Sequence, residues 1–272
     1  MKMPATRIAE LEGANYAATL PAAEVTPGLD VLLRDDVVLA WSPAFPTTDS
    51  NHACLLRTGA DEADHLIDEI TDFFRSRDLP VAVYLSAACS PVDLPRRLIA
   101  HGFHQEPGSE SWMVVENLAE FQLPPTHTGI SVRPISSAEI EMFADVFLGA
   151  FGLPGEFAPV LAGLLEPSVA LAGTRHYLAI SQDQPIGTCS LLLHGHYGIL
   201  GSAGVLPEHR GSGAATNLGI AALVEARSQG IDTVILQTTA DTWLERFLRR
   251  TGFERAFTRT CYLLPDDLAS QD

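Results

Sequence analysis

Lysine is almost absent from this chain of 272 residues: Lys2 is the only one, so nearly all of the 17 cations are arginines. Cations are few altogether. They face 34 acidic side chains, and the formal net charge is −17. Such a chain argues against nucleic acid or an anionic membrane as a partner and favours cationic small molecules on encounter. Cysteine is scarce too. Cys54, Cys89, Cys189 and Cys261 stand far apart with no C-x-x-C pair. That is the pattern of free thiols in a cytoplasmic protein, not of disulfides or a metal site. No apolar run reaches about 18 residues, so no membrane span is expected. The first ten residues carry charge but no long apolar segment, and do not read as a secretory signal. What remains is 46% hydrophobic, long enough for one large or two ordinary domains.

The most informative segment present is Val205–Ala215, V-L-P-E-H-R-G-S-G-A-A. A strand-like apolar run, Tyr197–Val205, precedes it, and a helix-period run through Leu218, Ile220, Leu223 and Val224 follows. A glycine-rich turn where a strand ends and a helix begins can bind an anion. The first-turn N–H groups lack partners inside the helix, and the helix dipole is positive there. Gly211 and Gly213 let the backbone approach a ligand closely, and Arg210 adds a charge whose donors suit phosphate. No Gly-Lys-Ser/Thr follows, so this is not a P-loop, and the G-x-G-x-x-G of dinucleotide folds is not met.

Val205, Pro207, Arg210, Gly211, Gly213 and Ala215 match V-x-P-x-x-R-G-x-G-x-[GA]. The segment closely resembles motif A of the GNAT superfamily, the acyl-CoA-dependent N-acyltransferases, and the resemblance extends over residues 129–265. It implies an α/β fold with a mixed sheet and acetyl-CoA as co-substrate, without a metal. It also implies a loop that holds the pyrophosphate of coenzyme A, after a strand that pairs with the pantetheine arm. The cofactor-binding residues so implied are Ala203, Gly204, Val205, Arg210, Gly211, Ser212, Gly213, Ala214 and Ala215, joined by Thr238 and Asp241 near the end of the following strand.

The chain repeats itself at an offset of 150. Leu94-x-Arg96-x-Leu98-x-x-x-Gly102-Phe103 matches Leu244-x-Arg246-x-Leu248-x-x-x-Gly252-Phe253. Strand-like runs precede each (Val81–Leu85, Thr233–Leu236), and amphipathic helices lie further upstream (Asp64–Arg77, Ala214–Arg227). β-rich tails follow, ending in Trp112–Val115 and Tyr262–Leu264. Two GNAT-like domains are expected, a degenerate one over residues 1–125 and an acyl-CoA-binding one over 126–272, joined through the Pro-rich stretch Gln122–Gly129. The second is expected to run β-α-α-β-β-β-α-β-α-β. Where it has Arg210-Gly-Ser-Gly-Ala, the first has Ala60-Asp-Glu-Ala-Asp, whose carboxylates suit a helix N-terminus but repel pyrophosphate. The first domain carries 8 basic and 19 acidic residues, the second 9 and 15.

Proton handling is where the chain leaves the family pattern. The tyrosine usual four residues before the motif-B Gly-Phe, donor to the coenzyme A thiolate, is replaced by Leu248. The Glu or His usual on the motif-A strand is also missing, since Ile199, Leu200 and Gly201 fill that window. Candidate substitutes are Ser202 on that strand, Tyr262 in the last strand, and His196 beside Tyr197 at a hairpin. The bland readings are a strand serine, a core aromatic and a solvated His-Gly-His tip. Three functions therefore stand open. One is an N-acyltransferase in which an amine of a small molecule or peptide attacks acetyl-CoA directly. Another is a catalytically silent acyl-CoA binder. The third, by analogy with the family, is the transfer of a different acyl group such as an aminoacyl or longer chain. A homodimer is compatible with each.

Overall fold

The computed structural model describes residues 3–45 and 47–265; Lys2 falls outside them. The first half comprises α1 (Ala5–Val25), the hairpin β1 (Asp30–Leu33) and β2 (Val38–Trp41), β3 (His52–Cys54), α2 (Ala63–Arg75), β4 (Val81–Leu85), α3 (Leu94–Ala100), β5 (His104–Gln105) and β6 (Glu110–Val115). The second comprises β7 (Ser131–Pro134), α4 (Ile140–Phe151), α5 (Ala158–Val169), β8 (Thr174–Ser181), β9 (Gln184–His194), β10 (Tyr197–Val205), α6 (Ala214–Ser228), β11 (Thr233–Thr239), α7 (Trp243–Arg250) and β12 (Glu254–Leu264). The element order expected for the second half is the one observed.

Local chemistry accounts for these boundaries. Ser136 and Glu139 form a reciprocal capping box ahead of α4, which stops at Gly152 in the left-handed conformation (φ 69°). β8 and β9 turn through Gln182 and Asp183, both with positive φ, as a two-residue hairpin requires. α2 buries Leu66, Ile67, Ile70 and Phe74 along one stripe and turns its carboxylates outward. α5 begins at Ala158, directly after a short 3-10 turn over Gly155–Phe157.

All strands join one mixed sheet in the order β1-β2-β3-β4-β12-β6-β11-β10-β9-β8-β7, with β5 beside β12. Parallel pairing occurs between β3 and β4 and between β10 and β11. At the centre the two halves exchange their last strands. β6, from the first half, lies between β11 and β12, with Thr239 and Arg259 both opposite Glu110. The C-terminal part of β12 lies in turn against β4 and β5, with Tyr262 opposite Val83 and Gln105. Residues 110–115 thus close the second half, and their counterparts at offset 150 close the first. Neither sheet is completed by its own sequence alone.

At the same offset α1 corresponds to α5, each standing just before a three-strand run, but α1 is the longer helix. It lies across the sheet face carrying Trp112, Tyr197, Ile199 and Ile235, into which it sets Ile8, Leu11 and Tyr16. The connector between the halves is fastened to the first turn of α6. The buried Asn217 amide accepts from the His127 N–H (2.8 Å) and donates to the carbonyls of His127 (2.9 Å) and Ile130 (3.0 Å).

Candidate active site

β10 and β11 are hydrogen-bonded from Tyr197↔Thr233 to Leu200↔Leu236, and past that point the ladder ends. The β11-facing edge of β10 is then open where Ser202–Val205 run toward the glycine loop. A bulge helps turn it. The register of β10 against β9 shifts between Gly201 and Gly204. Ser202 sits there at φ 48°, left-handed for a residue with a side chain, and its carbonyl accepts from the buried Thr188 hydroxyl (2.7 Å). Bulges of this kind re-aim a strand beside a site, and the strain is held by its surroundings.

The opening leads into a cleft of about 1420 Å³. One side is lined by Leu200–Val205, by Arg210, Gly211, Gly213, Ala214, Ala215 and Thr216 of the loop and α6, and by Thr238 of β11. Gly211 (φ 82°) and Gly213 (φ 97°) occupy backbone conformations that disfavour side chains. Among the described residues, the N–H groups of Gly211, Gly213, Ala215 and Thr216 carry no hydrogen bond. This is the unsatisfied donor array that makes a helix N-terminus an anion site. Gly204 serves packing: a Cβ there would lie 2.8 Å from Ala150 Cβ, against the end of α4.

The first half has closed the corresponding opening. A backbone bridge joins Arg57 and Ser90, with Ser90 N–H donating to Leu56 O (2.8 Å) and Thr58 N–H to Ser90 O (3.2 Å). Asp64, at the start of α2, is paired with Arg97 (2.5 Å). Among the described residues, the β10–β11 pair has no such bridge past Leu200↔Leu236.

Several residues singled out from sequence stand elsewhere than expected. Tyr262 lies in the first half's core, its hydroxyl donating to Gln105 Oε1 (3.4 Å), because the strand exchange carries it away from the cleft. His196 is at the opposite end of β10, its ring 4.0 Å from that of Tyr197 and its Nε2 3.9 Å from Glu10. Asp241 turns toward β12, where it pairs with Arg255 (2.6 Å) while its N–H donates to Glu245 (2.6 Å). The Ser212 hydroxyl accepts from Ala214 N–H (3.3 Å) as a local cap and is not part of the lining. Arg210 does line the cleft, but its Nη2 donates to the Ala150 carbonyl (2.9 Å), tying the loop to α4. Leu248 faces the cleft, so the missing tyrosine is missing from the lining itself. Burial pushes the Cys189 thiol up to about 12, which leaves it unsuited as a nucleophile.

The opposite wall belongs largely to the first half and was not anticipated. Tyr16, His52, Glu110 and Arg259 line it as one hydrogen-bonded chain. Arg259 donates from Nε to Glu110 Oε2 (2.7 Å) and from Nη1 to the Tyr16 hydroxyl (2.7 Å). His52 Nδ1 faces the Thr48 carbonyl (3.1 Å), which makes it the donor and leaves Nε2 to accept the Tyr16 proton (2.6 Å). Burial and the nearby Arg259 charge push His52 down to about 3, so it is neutral. The guanidinium lies between the rings of Tyr84 (4.6 Å) and Trp112 (4.7 Å). One sequence signal existed. Arg259 is in phase with Phe257 and Cys261 on β12, an arginine at an inward position.

Glu12 sits behind this chain, 1% exposed, with Oε1 3.7 Å from Arg259 Nε. Burial pushes its carboxyl up to about 7, against the attraction of Arg259. A folded carboxyl that holds its proton more tightly than the unfolded one stabilises most below the ordinary carboxylate range, and the contribution is lost as pH rises through about 7. Glu12→Gln is therefore expected to gain stability relative to the parent as pH rises from the carboxylate range to neutrality. Urea midpoints across that range check this, and parallel curves would refute it.

Residues 143–253 match the model of the Acetyltransferase (GNAT) family. Among solved structures the chain is similar to a GCN5-related N-acetyltransferase from Kribbella flavida at 17% identity and TM-score 0.69, over 92% of this chain and 94% of that one. It is similar to a tandem GNAT protein from the clavulanic acid biosynthesis pathway at 16% identity and TM-score 0.63, over 93% and 89%. It is also similar to a GCN5-related N-acetyltransferase from Sphaerobacter thermophilus at 19% identity and TM-score 0.61, over 97% and 95%. No curated protein matches the sequence. The family match is confined to residues 143–253, and the likeness to these solved structures shows that the whole chain takes the fold they share. Among the described residues no helix is long and apolar enough to cross a membrane, and no His, Cys, Asp or Glu group could hold a metal ion.

Proposed function

We propose that this protein is an N-acyltransferase that moves an acetyl group from acetyl-CoA to an amine of a small-molecule or peptide acceptor by direct attack. The observation that carries the reading is the open gap between β10 and β11, ending at a loop whose N–H groups are unpartnered among the described residues. Residues 126–272 act as the acyl-CoA-binding domain and residues 1–125 shape the acceptor side. The pyrophosphate lies on the Gly211–Gly213 loop and the first turn of α6. The pantetheine arm takes the place of the missing ladder partner along Ser202–Val205, where a backbone N–H meets the thioester carbonyl. Orientation of amine and thioester supplies much of the rate.

Calorimetric titration with acetyl-CoA should show micromolar binding. Arg210→Glu should weaken it by on the order of tenfold, through charge opposed to phosphate at a helix N-terminus and release of the Ala150 carbonyl. A folded wild type that binds no coenzyme A would refute the reading. Leu248 in the lining favours a second one, a silent acyl-CoA binder. Free coenzyme A thiol in an amine screen separates the two, because a binder releases none.

A further inference from the structure

The motif-A strand offers no base, yet a carboxylate reaches the cleft by another route. Glu110 is the first residue of β6, the exchanged strand, and lies opposite Thr239 of β11, beyond the point where β10 and β11 part. Its Oε2 is fixed by Arg259 Nε (2.7 Å) and Trp112 Nε1 (2.7 Å). Its Oε1 has no hydrogen-bond partner among the described residues, and the residue lines the cleft. One oxygen is thus held rigidly while the other is presented. Arg259, 4% exposed, keeps its Nη2 without a hydrogen bond among the described residues, facing the same space. Asp30, Asp49 and Glu106 also line this wall, so its charge is negative despite Arg259. Two strand spacings, ~10 Å, separate β6 from β10. That distance accommodates a thioester carbonyl and an attacking nitrogen between the Ser202–Val205 backbone and the carboxylate.

We propose that Glu110 is the group that takes the proton from the acceptor, and that the acceptor is a primary amine entering as an ammonium ion. The proposal rests on the acyltransferase reading above. The ammonium gives one proton to Glu110 Oε1, and the freed nitrogen lone pair forms the N–C bond to the thioester carbonyl carbon. The tetrahedral adduct collapses, the C–S bond breaks and its electron pair leaves with sulfur. The second nitrogen proton goes to that thiolate. Glu110 returns its proton to water, leaving an amide and free coenzyme A. Arg259 is a positioning residue: it holds Oε2 so that Oε1 faces the amine.

Glu110→Gln keeps an acceptor for Arg259 and Trp112 but cannot take a proton. Acetyl transfer from acetyl-CoA is measured with benzylamine, protonated at neutral pH, and with aniline, which is neutral, with thiol release as the readout. Glu110→Gln is expected to lower benzylamine turnover about 100-fold, to leave aniline turnover little changed, and to bind coenzyme A as the wild type does. Glu110→Asp keeps the charge but withdraws the carboxylate, and should show the same selective loss should Glu110→Gln fail to fold. Equal losses on both amines, an undiminished benzylamine rate, or a wild type that does not acetylate benzylamine would overturn the proposal. Absence of coenzyme A binding by the wild type would instead overturn the acyltransferase reading on which it rests.

Discussion

Arg259→Met is expected to lower stability by about 2–3 kcal/mol, the loss of charge-assisted hydrogen bonds from a buried guanidinium to a part-buried carboxylate and a buried hydroxyl. Arg259 is 4% exposed and meets residues from both halves: Glu110 through Nε, Tyr16 through Nη1, and the ring faces of Tyr84 and Trp112. Methionine fills much of the volume between the rings but leaves the Glu110 carboxylate with Trp112 Nε1 alone. It also removes the charge that draws the Glu12 carboxyl down, so Glu12 is held more firmly in its protonated form. Adding Glu110→Gln should recover part of the loss, because the uncompensated carboxylate goes with it. Urea denaturation of the single and double variants checks both statements. A single variant within about 1 kcal/mol of the parent, in the range of an exposed pair, would show that this network is solvated.

Much of the second half was legible because its signals are local. A strand, a glycine turn and a helix in sequence need only their own residues to be recognised, and Val205–Ala215 provides all three. The position of Leu248 was legible for the same reason: α7 begins two residues past Asp241, and its period fixes which side faces the cleft. The repeat at offset 150 also held its meaning, with α2 against α6 and α3 against α7.

The strand exchange was not legible. The β6 segment Ser111–Val115 is buried throughout, and a run that must be covered on both faces does not say which strands lie beside it. Tyr262 misses the cleft because the last strand crosses to pair with β4 of the first half. α1 went unread for a different reason. Its buried residues mix Ile8, Leu11 and Tyr16 with three alanines and the charged Glu12, so its apolar stripe is weak in the sequence. Both omissions fall on the same wall of the cleft. Tyr16 comes from the unread helix, and Glu110 and Arg259 from the two exchanged strands. The glycine-loop wall was therefore readable from one half of the chain, whereas the facing wall exists only once the halves combine.

Trp112→Ala tests that combination directly, and its expected cost is about 3–5 kcal/mol. Trp112 has no exposed surface and is among the largest fully buried side chains. Its backbone lies opposite both Gln237 of β11 and Phe257 of β12. Its ring is stacked on that of Phe257, with centroids 5.0 Å apart, and it covers one face of Arg259. Truncation empties this space and takes the indole N–H from Glu110. The loss should not be confined to the half whose sequence carries the mutation. Since β6 completes the second sheet and β12 the first, loosening the β6–β12 pair weakens both. Trp41 on β2 and Trp243 on α7 remain as reporters, one in each half. Fluorescence in urea should show one transition moved to lower urea, coincident with that followed by circular dichroism. Two separated transitions, with one at the wild-type midpoint, would mean that each half folds independently and that the exchanged strands are ties between finished units.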